Sequence, residues 1–178
     1  FYPGGLVRPQ AYEWLGHALA ARGVETVIPE MPLDLAVLGT DRATALIDRY
    51  AAGRPVVLGG HSLGGAMAAS YAAKNPAKLS GLILMAAYPA EGDSLTSASF
   101  KALSLQAELD GVAKADAVRG GLDRLPAGSR LVVIPGAVHS FFGRYGPQAG
   151  DGVPTVDRAD AERAIVAAVI AYLDAGRA

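Results

Sequence analysis

Short apolar segments alternate along this chain with segments of helical periodicity, and no other feature limits its fold as strongly. The apolar segments predict six strands, at residues 1–3, 24–28, 56–59, 81–85, 101–106 and 130–134. The periodic segments predict five helices, at residues 10–22, 41–51, 63–75, 113–125 and 158–175. Strands that alternate with helices form a parallel sheet covered on both faces. We therefore expect an α/β fold, a three-layer αβα sandwich with a mainly parallel sheet of about six strands.

The most apolar segments indicate which strands lie at the centre of this sheet. Residues 56–58 and 82–85 are apolar without interruption, which is typical of strands that helices cover on both faces. We expect the strand order 2-1-3-4-5-6, in which the loops after strands 1 and 3 diverge at one edge. Ligands of such sheets bind where neighbouring connections diverge, so these two loops are expected to border the site.

The composition favours one domain and a small-molecule partner. With 178 residues, 51% of them hydrophobic, the chain can build one large core, so we expect a single domain over residues 1–178. Lys plus Arg number 16 and Asp plus Glu 17, and the resulting net charge of -1 attracts neither nucleic acid nor an anionic membrane. We expect no membrane contact from the chain itself, and a monomer or small homo-oligomer. Cysteine is absent, so covalent catalysis would need another nucleophile.

The sequence leaves the location of the protein open. No apolar run of about 18 residues exists, and the first residues do not resemble a signal peptide. The chain begins at Phe1 with what resembles the inside of a strand, so we expect a further segment upstream. The protein is then either cytoplasmic or tethered at the cell envelope through that segment.

The strongest local signal is a Gly-x-Ser-x-Gly pattern between a predicted strand and a predicted helix. It comprises Gly60, His61, Ser62, Leu63 and Gly64. A serine on such a turn adopts a strained backbone, and the crowding two residues to either side favours glycine. The turn also presents the hydroxyl at a helix N-terminus, where free N–H groups favour a developing negative charge. Because of this context, a nucleophile is a better interpretation than a merely structural glycine-rich turn.

A serine nucleophile needs a base, and the chain has three histidines. His17 lies within a predicted helix, where a surface or packing role is usual. His61 is adjacent to Ser62 and is expected to point away from it and pack beneath the turn. His139 follows the last predicted strand, in a loop at the edge of the sheet. His139 is therefore the expected base.

The base in turn needs a carboxylate, which in this arrangement follows the nucleophile and precedes the histidine in the sequence. Asp110 comes just after the strand at residues 101–106, and Gly111 allows the chain to turn sharply there. We expect Asp110 to orient His139. Glu108 is the alternative, since a shift of two residues would present it instead.

An oxyanion hole needs two backbone amides aimed at the reacting oxygen. The amide of Leu63, directly after the nucleophile, is the first expected donor. The second should come from the glycine-rich loop after the first strand, at Gly5 or Leu6. The alternative for this loop is a simple turn.

With these motifs the chain resembles the α/β-hydrolase superfamily, and in particular a group of small bacterial serine hydrolases of the carboxylesterase type. The resemblance covers the segments at residues 2–5, 31–33, 59–65, 110–111 and 139–148. The segment that follows His139 is the more specific sign, because the whole superfamily shares the serine turn. The resemblance implies Ser62 as nucleophile, Asp110 as acid and His139 as base, with no metal or organic cofactor.

The chain also departs from that superfamily in two respects. Full superfamily sheets have eight strands, so six predicted strands imply that the N-terminal pair is absent. Members of the narrower group usually carry a glycine where Ala107 stands, which leaves the placement of the Asp110 loop open. Between the strands at residues 81–85 and 101–106 the connection is too short for a helical lid domain, so we expect a rather open site.

These motifs predict a serine hydrolase that cleaves a small or medium carboxylic ester through an acyl-enzyme. Five loop residues are candidates for contact with this acyl substrate: Leu6, Leu33, Tyr88, Phe141 and Phe142. A thioester, lactone or small amide is an alternative substrate, because all of them react through the same tetrahedral chemistry. A non-catalytic binding protein with this fold is the alternative from another class.

Overall fold

The structure, a computed structural model, describes residues 1–176. Its centre is a sheet of parallel strands in the order β1-β2-β3-β4. The strands are β1 (Val57–His61), β2 (Gly81–Met85), β3 (Ala102–Ala107) and β4 (Arg130–Ile134). The α-helices are α1 (Glu13–Ala20), α2 (Arg42–Tyr50), α3 (Leu63–Lys74), α4 (Ala115–Gly121) and α5 (Arg158–Ala175).

Helices cover both faces of the sheet. Ile83 of β2 and Leu103 of β3 belong to a core cluster that includes Trp14 of α1 and Ile165 of α5. Leu84 points the other way and belongs to a second cluster, formed with the small side chains of α3. Successive side chains of a strand point to opposite faces, so the fully buried strand β2 contributes to both clusters. The predicted three-layer αβα sandwich with a parallel sheet is confirmed.

The prediction of about six strands is wrong for residues 1–176, which contain four. Residues 24–28 form no strand. The strand predicted at residues 1–3 is reduced to one isolated bridge between Tyr2 and Gly60. A strand is defined by a repeated ladder of hydrogen bonds, and neither segment makes one. An apolar β-branched run therefore identified extended chain here, but not a paired strand.

The two missing strands nevertheless lie where the predicted strand order puts them. The backbone nitrogen of Phe1 donates to the carbonyl oxygen of Val27 at 2.6 Å. On its other side, Tyr2 donates to the carbonyl oxygen of Gly59 in β1 at 2.8 Å. The N-terminal residues thus run between the segment 24–28 and β1, and the loop that follows them lies beside the end of β1.

The helices lie close to their predicted positions. The helix predicted at residues 10–22 is shorter, because a 3₁₀ turn at Pro9–Tyr12 precedes α1. The helix predicted at residues 113–125 is α4 followed by a 3₁₀ turn at Leu122–Arg124. Among the described residues, no helix combines the length and the hydropathy needed to cross a membrane.

The carboxyl ends of the strands bring the predicted catalytic residues to one edge of the sheet. Ser62 directly follows β1, Asp110 lies shortly after β3 and His139 shortly after β4. A cavity of about 940 Å³ lies at the opposite end, lined by residues such as Ser80 and Lys101 that precede strands. This cavity is therefore separate from the predicted catalytic residues.

Candidate active site

Ser62 occupies the turn between β1 and α3 in a left-handed backbone conformation, with φ 53° and ψ -125°. Residues other than glycine rarely adopt positive φ, and such strain persists only where the surroundings impose it. The amide of Ser62 donates to the carbonyl oxygen of Met85, at the end of the neighbouring strand, at 2.9 Å. The turn therefore holds Ser62, which is half-buried, in a strained conformation between β1 and α3, as the Gly-x-Ser-x-Gly pattern predicts.

The glycines around Ser62 allow three backbone segments to meet. A Cβ atom at Gly60 would lie 2.5 Å from the carbonyl carbon and oxygen of Gly64. A Cβ atom at Gly64 would overlap the carbonyl oxygens of Tyr2 and Pro3. Real Cβ atoms do not approach backbone this closely, so β1, α3 and the N-terminal segment can pack only around glycine.

His139 and Asp110 form a buried hydrogen-bonded pair. Nδ1 of His139 lies 2.9 Å from Oδ2 of Asp110, and each side chain is 1% exposed. A carboxylate accepts only, so Nδ1 carries the proton, and Nε2 of the neutral ring keeps its lone pair. Nε2 is buried and has no hydrogen-bond partner within residues 1–176, the Ser62 hydroxyl included. The pair therefore offers a basic nitrogen that no described group occupies.

The two carboxylates that follow β3 have different partners. Oδ1 of Asp110 accepts the amides of the residues two and three positions later, at 2.8 and 2.7 Å, while Oδ2 faces His139. Glu108, the alternative acid, instead accepts the amide of Gly136 at 2.7 Å. The carboxylate that contacts the His139 imidazole is therefore that of Asp110.

His61 packs beside the serine turn and the His139 ring, with 4.6 Å between the two ring centroids. The hydroxyl oxygen of Tyr12 accepts the amide of Gly4 at 2.9 Å and lies within hydrogen-bonding distance of Nδ1 of His61, at 2.8 Å. Burial lowers the pKa of His61 well below its ordinary value, and the adjacent His139 ring lowers it further. A contact with the His139 backbone raises this pKa, but by less than the other two effects lower it. His61 is therefore neutral at pH 7 and has a packing role.

The two loops expected to supply oxyanion donors lie against each other. A Cβ atom at Gly5 would lie 3.2 Å from Cδ2 of Leu63. Within residues 1–176, the amides of Gly5 and Leu63 donate to no acceptor. The amide of Leu6 donates to the carbonyl oxygen of Asp34 at 2.8 Å. Of the two residues considered for the second donor, Gly5 has a free amide and Leu6 does not.

A sequence model of a protein family matches residues 1–163 of the chain, and this family is described as the alpha/beta hydrolase family. The chain belongs to the alpha/beta hydrolase family. The match covers all of the catalytic residues predicted above, and it agrees with the resemblance seen in the motifs. Membership of this family indicates a hydrolase. No match was found among curated proteins.

Solved structures share the fold of this α/β hydrolase. A thermophilic esterase from Thermogutta terrifontis, solved with malate, is 16% identical with a TM-score of 0.72, over 99% of this chain and 89% of that chain. Est1E from Butyrivibrio proteoclasticus, solved with ferulic acid, is 12% identical with a TM-score of 0.70, over 97% and 87%. A predicted CIB-like hydrolase from Thermoplasma acidophilum is 22% identical with a TM-score of 0.51, over 58% of this chain and only half (50%) of that chain. At such identities the likeness concerns the fold alone.

The five residues predicted to contact substrate in this α/β hydrolase divide into two groups. Leu6, Leu33 and Tyr88 are 76%, 79% and 36% exposed, so they can meet a ligand. Phe141 and Phe142 are only 9% and 1% exposed and belong to the core cluster around α1 and α5. The rings of Phe141 and Phe142 thus fill the core at the His139 loop and present little surface to a ligand, unlike the other three residues.

The sequence analysis of this α/β hydrolase did not predict the side chains that hydrogen-bond to the backbone of the His139 loop. Arg158 of α5 donates to the carbonyl oxygens of Ser140 and Gly143 at 3.0 and 2.7 Å. Asp151 accepts amides from the start of the same loop, including that of His139 at 2.9 Å. The only sign of Asp151 in the sequence is an aspartate between two glycines in a long loop, which by itself indicates a turn.

Proposed function

We propose that this α/β hydrolase is a serine hydrolase that cleaves a small or medium carboxylic ester through an acyl-enzyme. The observation that carries the proposal is the buried pair of Asp110 and His139, whose Nε2 has no partner among the described residues. A base held in one tautomer with a free nitrogen is what a serine nucleophile requires. The strained turn that bears Ser62 supports the same assignment.

In the proposed mechanism, the hydroxyl of Ser62 attacks the ester carbonyl carbon while Nε2 of His139 accepts the hydroxyl proton. Asp110 stabilises the imidazolium that forms. The free amides of Gly5 and Leu63 donate to the oxyanion. When the tetrahedral intermediate collapses, His139 returns the proton to the leaving alcohol, and the acyl group remains on the serine oxygen.

Hydrolysis of the acyl-enzyme repeats these steps with water. His139 accepts a proton from the water as its oxygen attacks the acyl carbon, and then returns that proton to the oxygen of Ser62. The carboxylic acid leaves and the free serine is restored. Only groups on this chain and one water take part, so the proposed cycle needs no metal or organic cofactor.

Two features of the loops support a small or medium ester as substrate. Residues 86–101, between β2 and β3, contain no helix that could form a lid. The exposed side chains of Leu6 and Leu33 offer apolar surface to an acyl chain. We propose that these two residues, with Tyr88, border the acyl group.

The proposal is tested by a fluorophosphonate probe and a panel of p-nitrophenyl esters of increasing chain length. We expect the protein to be labelled and to hydrolyse short esters. Ser62→Ala should abolish labelling and lower turnover on the order of 10⁶-fold, because the nucleophile and base act as a unit. Ser94→Ala, at an exposed serine distant in sequence from the motif, is the matched control and should retain full activity.

The results also separate the proposed function from its alternatives. An unlabelled protein that hydrolyses none of the esters would refute the serine hydrolase and favour a binding protein. Labelling that survives in Ser62→Ala would show that another residue is the nucleophile. Labelling at Ser62 with hydrolysis of thioesters or lactones alone would keep the triad and change the substrate.

A further inference from the structure

Asp151 accepts backbone amides from both of the loops that carry the candidate acid and base. Its Oδ1 accepts the amides of His139 and Gly152, each at 2.9 Å, and that of Gly111 at 3.4 Å. Its Oδ2 accepts the amide of Ser140 at 2.8 Å. One side chain thus connects the beginning of the His139 turn to the residue that directly follows Asp110.

The backbone packing around Asp151 shows that this contact is closely fitted. A Cβ atom at Gly111 would overlap the carbonyl oxygen of Gly150, and one at Gly152 would overlap the carbonyl oxygen of Leu109. The Asp151 loop and the Asp110 loop therefore touch backbone to backbone at two points. With this spacing, a shift of the Asp151 loop would shift the Asp110 loop as well.

Asp151 is charged in this setting. Burial raises the pKa of Asp151, but the amides of Ser140, His139 and Gly152 together outweigh it and hold that pKa below its usual value. Hydrogen bonds from amides to an ionised carboxylate are stronger than those between neutral groups. A carboxylate at the start of the 3₁₀ turn at His139–Phe142 also accepts amides that have no partner within the turn.

We propose that Asp151 is a positioning residue, which fixes the main chain of His139 relative to the Asp110 loop and so directs Nε2 towards Ser62. The inference rests on the proposed function, because the direction of Nε2 matters only if Ser62 is the nucleophile. Asp151 reaches the reacting atoms only through His139 and Asp110. It therefore affects the chemical step rather than substrate binding.

The inference is tested with Asp151→Asn and Asp151→Ala, compared with Glu162→Ala as the matched control. Glu162 also holds the segment that follows His139, through a pair with Arg144 at 2.8 and 2.7 Å, but among the described residues it accepts no amide of His139, Ser140 or Gly111. Loss of Glu162 should lower stability and leave kcat within about threefold. Thermal unfolding and circular dichroism show whether each variant retains the fold.

We expect a graded loss at Asp151, measured as kcat and KM for a p-nitrophenyl ester. Asp151→Ala should lower kcat roughly 10²-fold with little change in KM, since a displacement of about 1 Å in a catalytic group has an effect of this size. Asp151→Asn should lower kcat only about tenfold, because its amide oxygen still accepts the amides of His139 and Gly152. The rate of fluorophosphonate labelling should fall in parallel with kcat.

The outcomes separate this inference from the proposed function. Folded Asp151 variants with wild-type kcat would overturn the inference, and so would an equal loss in Glu162→Ala. If Asp151→Ala does not fold, Asp151→Asn decides by the same criterion.

The low-field proton NMR signal of His139 Nδ1–H, which reports the bond to Asp110, is a second test that is independent of activity. Its loss in Asp151→Ala would show that Asp151 holds His139 against Asp110, even if the wild-type protein hydrolysed no ester and the proposed function failed.

Discussion

Asp110 and Glu108 stand two residues apart, yet only Asp110 contacts the imidazole of His139. In Asp110→Asn, the new amide nitrogen would donate to Nδ1, and the ring proton would move to Nε2, which then could not accept the proton of Ser62. We expect kcat to fall roughly 10⁴-fold. Glu108→Gln should keep kcat within about threefold, because its oxygen can still accept the amide of Gly136.

These two variants are compared by their kcat for p-nitrophenyl butyrate, after circular dichroism has shown that both are folded. A Glu108→Gln protein as inactive as Asp110→Asn would contradict the assignment of the acid. Equal and small losses in both would show that neither of these carboxylates orients the base. The pair is well matched, because each change replaces one carboxylate oxygen by an amide nitrogen in the same short segment.

At the residue scale, the sequence predicted that Asp110 meets His139, but not the finer contacts of the loops. Asp110 and His139 were found because each stands after a strand and near a glycine, and the structure brings their side chains together. Which amide of the N-terminal loop is free could not be predicted, because Leu6 is engaged by Asp34, a residue distant in the sequence. Likewise, an aromatic residue in a loop, such as Phe142, gives no local sign of whether it faces solvent or core.

At the element scale, the approach of α3 to the N-terminal segment depends on Gly64. The Cβ atom of Gly64→Ala would overlap the carbonyl oxygens of Tyr2 and Pro3, so one of the two segments must move. We expect the free energy of unfolding to fall by about 1–3 kcal/mol. We also expect a lower kcat, because Gly5 follows the displaced segment. Urea unfolding and ester hydrolysis measure the two effects.

Gly120→Ala in α4 is the control for this prediction. No heavy atom lies within 4 Å of a Cβ atom added at Gly120, so the change causes no clash and only reduces the backbone flexibility of the unfolded chain. It should raise the free energy of unfolding by about 0.5–1 kcal/mol. A Gly64→Ala protein as stable and active as the wild type would show that α3 and the N-terminal segment can move apart without loss of stability or activity.

The helices and the four central strands could be predicted because their signals are local. The helices show periodicity and a glycine or proline near their ends, and the strands are continuous apolar runs. All of these signals lie in or next to the element that they predict. The segment 24–28 has the composition of a strand, but a strand also needs a neighbour to pair with. Val24 at its start donates to the carbonyl oxygen of Leu19, and Val27 accepts from Phe1, but these single contacts form no ladder and leave no trace in local composition.

At the scale of the whole molecule, the contacts that hold the site together join distant parts of the chain. Asp151 lies 12 residues from His139 and 40 from Gly111 in the sequence, and it contacts the backbone of both. Such contacts depend on the course of the long loop before α5. Local patterns do not determine that course, so the motifs predicted the pair of Asp110 and His139 but not the carboxylate of Asp151, which connects their loops.

The surface that we propose to contact the acyl chain, formed by Leu6 and Leu33, is also built from two distant segments, and it leads to the last prediction. Leu33 is 79% exposed and left-handed, with φ 52°, an arrangement that is unfavourable for a leucine unless something else requires it. Its neighbour Asp34 accepts the amide of Leu6, so the two exposed leucines lie on connected loops. Asparagine adopts positive φ more readily than leucine, so Leu33→Asn should retain the fold and lose only apolar surface.

We expect Leu33→Asn to lower kcat/KM for p-nitrophenyl hexanoate about three- to tenfold, as the loss of about one buried leucine contact implies. The acetate ester should react within about twofold of the wild-type rate, because its acyl group is too short to reach that surface. Val133→Thr, at a 37% exposed position on β4, is the control and should affect neither ester. A Leu33→Asn protein that loses the same fraction of activity on both esters would show that Leu33 supports the loop rather than the acyl chain. Selective loss on the longer ester would instead explain why a leucine is kept exposed in a conformation that favours asparagine.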